Sequence, residues 1–451
     1  MRLRLLDIRL GSRHVGQLFQ WGEGASALTR FVPDEAWWRD PQAPLLSWAT
    51  VVAPEARELF WSSHASIPFF NGTGAQLPPF FQNMLPEGAL RRHLAQIRNC
   101  AIDDHFEILA ACGTDLPGAV LALPADVSRD RVAAIVTQHH DALEVSVTAD
   151  PIADATSLSG LQAKMSLVEQ AGRYVARTRD PAGVHIIAKL PTPEFPLLPE
   201  VEDLSLRLAA AAGVSTCRAS LAPLSAIQTD VPFTVGEARN FLAVERFDRR
   251  DGREHVHCED FAQVLQVPPE MKYQDPNVSY ALIARVLEAM GGAEAAVKEL
   301  LRRLAVNEML GNYDAHVKNF GVVYPDGRTP ALAPAYDVVA YAAYLPGRGH
   351  ALPFARGTPA RARLGPASLR SFCNDCGMPE TVASAVVRAS VRAALDTWPD
   401  LIAASALLPQ QKERLMAHFT AVPAVAALVR RVRSRKAPPT PSAEGPPLEN
   451  P

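Results

Sequence analysis

The chain opens on an alternation of apolar and polar residues. Leu3 to Leu10 and Val15 to Trp21 alternate around Gly11-Ser12, which predicts a β-hairpin. Residues 30 to 80 are rich in Pro, Trp and Phe and predict short strands and loops. Helical spacing returns from Ala89 to Arg98 and from Asp103 to Ala111, stopping near Gly113, and Pro117 to Leu123 reads as strand again. Residues 124 to 150 are polar with short apolar pieces and mark a boundary. Beyond it, Met165 to Val168 and Arg173 to Ala176 predict a second hairpin, and His185 to Lys189 a short apolar strand. An amphipathic helix is predicted from Val201 to Ala212, opened by Glu202 and ended by Gly213. Phe241 to Phe247 reads as a strand running into a charged turn, and His257 to Leu265 as a helix with acidic residues in its first turn.

From Tyr280 onward helical patterns dominate, over 280–290, 294–310, 380–396 and 409–431. Val297, Leu300, Leu301, Leu304 and Met309 form the apolar stripe of one of them, and Gly311 is its stop. A polar loop follows, then a strand from Phe320 to Tyr324, a turn at Pro325-Asp326-Gly327, and an apolar segment from Leu332 to Val339 that contains Asp337. No internal repeat is apparent. The Pro-rich tail from Lys436 is too poor in apolar residues to order itself.

Size and composition narrow the class. A chain of 451 residues allows two or three domains. With 48% hydrophobic and 21% charged residues it has the make-up of a soluble globular protein, and a net charge of -3 gives no global attraction to nucleic acid. No apolar run is long enough for a membrane span, and Met1 to Ile8 lacks the apolar core of a signal peptide, so the expected location is cytoplasmic. Six cysteines do not suggest a disulfide scaffold. Cys373-Asn-Asp-Cys376 is a single CxxC, for which buried or idle thiols are favoured over a metal or redox site. For His257, Glu259 and Asp260 helix capping is favoured over a metal site. Arg430, Arg431, Arg433, Arg435 and Lys436 suit a helix C-terminus, with a phosphate or DNA contact as the alternative.

The chemistry concentrates in two stretches. Asp314, Asn319 five residues on, and Asp337 beyond a hairpin have the layout that kinase-type phosphoryl transfer requires: one Asp to take the acceptor proton, an Asn and a second Asp to hold magnesium. Spacing alone leaves solvated loop carboxylates equally open. Upstream, Ser157-Leu-Ser159-Gly160-Leu-Gln162-Ala-Lys164 precedes a strand, where backbone amides can fold around phosphate oxygens, although a plain polar turn reads the same; it is not a Walker motif. Lys189 on a strand, with Glu202 on the following helix, supplies the lysine and brace of kinase anatomy. These features lie in the right order along the chain.

Taken together the segments resemble the HipA family of serine/threonine kinases, the toxin halves of bacterial toxin–antitoxin pairs. The matching pieces are Ser157 to Lys164, His185 to Pro191, Val244 to Arg249, Glu259 to Gln263, Lys272-Tyr273, Asp314 to Phe320 and Leu332 to Val338. Phe81 to Pro86 and Gly113 to Val120 are similar to the family's leading domain. The resemblance implies an α+β, two-lobed protein-kinase-like fold with a small β-rich N-terminal domain and a mostly helical C-terminal lobe. The corresponding divisions are 1–125, a linker at 126–150, a nucleotide-binding segment at 151–250, a helical lobe at 251–435 and a disordered tail at 436–451.

The resemblance also implies roles. Asp314 would be the base, with His316 near the phosphates, and Asn319 and Asp337 would bind Mg2+. ATP would meet Ser159, Gly160, Gln162, Lys164 and Lys189, Glu202 would support Lys189, and Glu245 and Phe247 would meet adenine. Ser157 would be autophosphorylated, with Ser159 a second candidate, which expels the loop and switches the kinase off. The implied partners are a protein substrate, such as an aminoacyl-tRNA synthetase of the translation machinery, and a helix-turn-helix DNA-binding antitoxin. DNA would be reached only through that antitoxin, and no membrane is involved. Two departures stand out: Leu161 and Ala163 replace the residues usual in the family's Gly-x-Gln-x-Lys, and the segment before Lys189 is one residue longer. Two rivals remain at this stage, a small-molecule kinase and a non-catalytic co-repressor that binds an antitoxin.

Overall fold

The computed structural model describes residues 2–22, 24–125, 144–145, 148–158, 160, 162–178, 183–236, 238–250, 254–346 and 349–436. The opening hairpin forms as expected, with Arg2–Leu10 and Arg13–Trp21 paired antiparallel and Leu10 opposite Arg13. Gly11 takes the left-handed backbone that so tight a turn needs. Leu28–Pro33 and Val120–Pro124 add to either side. The inward residues Leu6, Ile8 and Leu18 meet a core of aromatic rings that includes Phe31, Trp61, Phe70 and Phe81.

Residues 30 to 80 differ from expectation. After Leu28–Pro33 the segment forms short helices and helical turns, among them Glu35–Trp38, Arg57–Ser62 and Pro79–Gln82, instead of strands. Pro54, Pro68 and Pro79 each stand in the first turn of such an element, where the missing N–H has no helical partner to lose. Within the expected linker, Glu144–Val145 pairs in parallel with Arg2 and Leu3, while 126–143 and 146–147 lie outside the described residues. Ala155 and Leu158 also belong to the N-terminal core. All but the first residue of the expected tail lies outside the described residues.

The second layer is a five-stranded antiparallel sheet in the order Arg173–Ala176, Lys164–Gln170, Val184–Lys189, Asn240–Glu245, Ala219–Pro223. Its register sets Lys164 directly opposite Lys189, so both lysines stand on one face. The helix beneath it runs Leu198–Ala211 and starts three residues before the expected Val201, because Pro199 lies in its first turn. Val201, Leu204 and Leu208 anchor this helix in the main core.

The C-terminal lobe is helical, as expected, with Tyr280–Leu287, Ala293–Leu310, Pro366–Cys376, Glu380–Ala404, Pro409–Ala421 and Pro423–Lys436. The pattern over 409–431 is two helices, divided where Pro423 removes a backbone donor. Trp398 donates from Nε1 to the Leu208 carbonyl at 2.9 Å and fastens this lobe to the helix under the sheet. His257–Asp260 is a strand, not the first turn of a helix: it pairs with Gly321–Tyr324, which pairs in turn with Ala331–Leu332. The helix is the short Phe261–Val264, and Asp260 caps it by accepting from Gln263 N.

Candidate active site

Helix Ala293–Leu310 ends at Gly311, whose φ of 63° reverses the chain into the 312–320 loop. That loop is wound around the backbone of Asp314. The Asp314 carbonyl accepts from Asn319 Nδ2 at 3.1 Å and from His316 N at 2.7 Å, and its amide donates to Asn312 Oδ1 at 3.3 Å. The Asp314 carboxylate is left to face the cleft, where Oδ1 accepts from the Tyr273 hydroxyl. Burial raises the pKa of this carboxyl, and the Tyr273 bond and nearby Lys272 act in the opposite direction.

Asp337 follows the Gly321–Tyr324/Ala331–Leu332 hairpin with a left-handed backbone, φ 52°, a conformation Asp tolerates better than most residues. Lys189 comes from the middle strand of the second sheet and donates to both Glu202 and Asp337. Burial disfavours the ammonium, yet Asp337 and Glu202 more than offset it and hold its pKa above the usual lysine value. Burial likewise works against the Asp337 anion, but Lys189 and Lys164 keep its carboxyl well below the usual range. Glu202 is raised by burial, against the pull of Lys189. Lys164, on the same face of the sheet, is lowered by burial.

These groups open on one cleft of about 1380 Å³, lined among others by Asp314, His316, Asn319, Asp337, Lys189 and Lys164. Gly160, Gln162 and Glu202 line it too. Gly160 has φ 97°, a backbone that strains any residue with a side chain, and it lies close to the Lys164 ammonium. Gln162 Nε2 donates to the Leu190 carbonyl at 2.8 Å. His316 is buried with its ring edge-on to Tyr273, and burial beside Lys272 lowers its pKa to about 3, so its imidazole is neutral at pH 7.

A second, more apolar cavity of about 980 Å³ adjoins the first and shares Lys164, Lys189, Glu202, Lys318 and Asp337 with it. Its walls include Ile187, Val244, Glu245, Phe247, Val322 and Tyr336. Phe247 packs on Tyr336 with ring centroids 5.8 Å apart, and the Glu245 amide donates to Arg218 O at 2.9 Å. Ser157 also lines this cavity; it is wholly buried, with its hydroxyl donating to the Met84 carbonyl and its amide to Asp115 O. Ser159 lies outside the described residues. Every other residue to which the resemblance gives a role lines one of these two adjoining cavities.

Several residues of the site carried no role in the sequence reading. Tyr273 touches Asp314, and Lys272 donates to Glu87 Oε2 at 3.0 Å. Lys318 Nζ donates to the carbonyl and side-chain oxygens of Asn83 at 3.0 and 3.1 Å and sits 3.6 Å from both Glu87 and Asp260. Asn83 falls inside Phe81 to Pro86, so the N-terminal motif marks a stretch that reaches the 312–320 loop through Lys318.

Among the described residues no group of three or more His, Cys, Asp or Glu is placed to hold a metal by itself. At 257–260 the donors are otherwise engaged, since His257 Nε2 meets the Leu46 carbonyl and Glu259 accepts from Ser47, Trp48 and Tyr324. Cys373 and Cys376 are free thiols buried on one helix. No helix among the described residues is long and apolar enough to cross a membrane.

Comparison with known proteins matches both halves of the chain. Residues 6–123 fit the model of the HipA N-terminal domain, and residues 156–398 that of the HipA-like C-terminal domain. A Sinorhizobium fredii protein named "Putative kinase Y4dM" is 35% identical over 353 residues, which span 77% of this chain and 79% of that one. The serine/threonine-protein kinase toxin HipA of Shewanella oneidensis is 23% identical over 304 residues, 60% of this chain and 65% of that one. A solved structure of Shewanella oneidensis HipA, in complex with HipB and operator DNA, has the same fold: TM-score 0.63 at 18% identity, covering 94% of this chain and 99% of that one.

Proposed function

This chain belongs to the HipA family, and on that premise we propose that it is a protein serine/threonine kinase using ATP and Mg2+. The observation that carries the reading is the convergence of Asp314, Asn319 and Asp337 on one cleft, beside a Lys189 bonded to both Glu202 and Asp337. In this reading the acceptor hydroxyl oxygen bonds to the γ-phosphorus of ATP while the bond from that phosphorus to the bridging oxygen breaks. ADP leaves, and the hydroxyl proton passes to the Asp314 carboxylate.

Each residue then has a physical task. Lys189 places a fixed positive charge beside the phosphates, and Glu202 holds its ammonium in place. Lys164, opposite it, adds a second positive group. Neutral His316 can offer a ring N–H without competing for the proton. Glu245 and Phe247 line the apolar cavity that suits an adenine ring. The donor set fits magnesium, because the Asn319 amide and Asp337 carboxylate are hard oxygen ligands and Mg2+ takes its other ligands from phosphate and water. Bound there, the ion would neutralise charge on the phosphates.

Ser157 is our candidate for autophosphorylation. A toxin role and a DNA-binding antitoxin partner follow the Shewanella relatives, one named a serine/threonine-protein kinase toxin and the other solved with HipB and operator DNA. A protein substrate in the translation machinery and a cytoplasmic location are proposed on the family resemblance alone. The test is incubation of the full-length chain and a cell extract with radiolabelled ATP and Mg2+. Label should enter protein, and Asp314→Asn or Asp337→Asn should reduce it at least about a hundredfold with the circular dichroism spectrum unchanged. An Asp314→Asn variant as fast as the native chain would sink the kinase reading.

A further inference from the structure

We propose that Tyr273 is a positioning residue for phosphoryl transfer, tying one carboxylate oxygen of Asp314 so that the other is turned toward the acceptor hydroxyl. This rests on the reading of Asp314 as the base.

The Asn312, His316 and Asn319 bonds fix the backbone of Asp314 and leave its side-chain torsion free. Among the described residues, the hydrogen bond that reaches the carboxylate itself comes from the Tyr273 hydroxyl. A carboxylate on a short side chain can still rotate when only its backbone is fixed, and a reacting group misplaced by an ångström loses rate.

Tyr273 is itself held on several sides. Its ring lies edge-on to His316 with centroids 4.8 Å apart, and the Arg361 guanidinium sits 5.8 Å from its centroid. Arg361 Nη1 also donates to the Tyr313 carbonyl at 2.7 Å, so one side chain ties the ring to the residue before Asp314. On the other side Lys272 is bonded to Glu87 of the N-terminal unit, which fixes the turn that carries Tyr273. Burial and the neighbouring Asp314 keep the phenol protonated, so it acts as a donor throughout the neutral range.

The test is a double-mutant cycle on the full-length chain, reading initial rates of label transfer from radiolabelled ATP into protein. Tyr273→Phe removes the hydroxyl and keeps the ring, so kcat should fall roughly ten- to a hundredfold while KM for ATP holds. A merely structural role would raise KM and lower the melting temperature. Because Tyr273 acts through Asp314, the double variant with Asp314→Asn should be no slower than Asp314→Asn alone. Native kcat in Tyr273→Phe, a change confined to KM, or additive losses in the double variant each overturn the proposal. Native kcat in Asp314→Asn overturns instead the assignment of the base, so the two failures are told apart.

Discussion

Arg246 Nη1 donates a 2.8 Å hydrogen bond to Asp115 Oδ1, joining residues 131 positions apart with both side chains shut off from water. Arg249 Nη2 reaches the same oxygen at 2.8 Å, and Asp248 takes bonds from both arginines. The bonds run between two stretches that the sequence offered as separate motifs, Gly113 to Val120 and Val244 to Arg249. Pro117, Arg246, Phe247 and Asp248 from those stretches line the apolar cavity, so the N-terminal unit forms part of its wall.

Replacing Asp115 by Ala should therefore be costly, because it leaves two buried guanidiniums short of a partner. The expected loss is about 3–5 kcal/mol, read by chemical denaturation. The sign with pH also follows. Burial would raise the Asp115 carboxyl, but Arg246 and Arg249 hold it well below the usual carboxylate range. Its contribution is present above the unfolded value of about 4 and lost as pH falls below that. The gap between native chain and variant should accordingly shrink in acid, and a gap independent of pH would refute the charge argument.

Glu259 should behave in the opposite sense. It sits in the strand His257–Asp260 and accepts from Ser47 Oγ at 2.7 Å and Trp48 N at 2.8 Å, both on a loop of the N-terminal unit. Burial pushes its carboxyl up from 4.5 to about 7, despite these bonds and that from Tyr324. Between those values the unfolded chain has lost a proton that the folded one keeps, so stability falls as pH rises through that window. Glu259→Gln retains an acceptor for Trp48 and Tyr324 and removes the titration. The stability of the native chain relative to the variant should drop by on the order of 3 kcal/mol between pH 4.5 and 7, measured by urea denaturation. A constant difference across that range would refute it.

What could be read from the sequence divides along physical lines. Asp314, Asn319 and Asp337 were legible because the loop and hairpin that bring them together are local, and their spacing survives in one dimension. The Lys189–Glu202 pair was legible for the same reason, being 13 residues apart on a strand and the next helix. Lys318 and Asn83 are 235 residues apart, and Lys272 and Glu87 are 185 apart, so nothing in either neighbourhood marks the contact. The errors in element type have a common source in capping. Pro199 and the prolines between 50 and 80 look like breakers but open helices, and Asp260 looks like a first-turn acid but is the cap itself.

Ser157 supplies the last prediction. Its hydroxyl is buried against the Met84 carbonyl, its amide donates to Asp115 O at 3.0 Å, and Leu158 beside it is part of the N-terminal core. A phosphate on that oxygen carries about -1.5 to -2 charges at pH 7. It would face a carbonyl oxygen and be stripped of water, so the phosphorylated segment has to leave this seat. Gly160, Gln162 and Lys164 follow directly in the chain and would be drawn out of the cleft with it. Ser157→Glu imposes part of the same charge and bulk, and should weaken binding of a non-hydrolysable ATP analogue at least about tenfold in calorimetry. Ser157→Ala leaves only the Met84 carbonyl without its donor, costs about 1 kcal/mol of stability, and should bind the analogue more tightly than Ser157→Glu. Equal affinity of the native and Ser157→Glu chains would mean that this loop can be charged without moving, and a switch built on Ser157 would have to be given up.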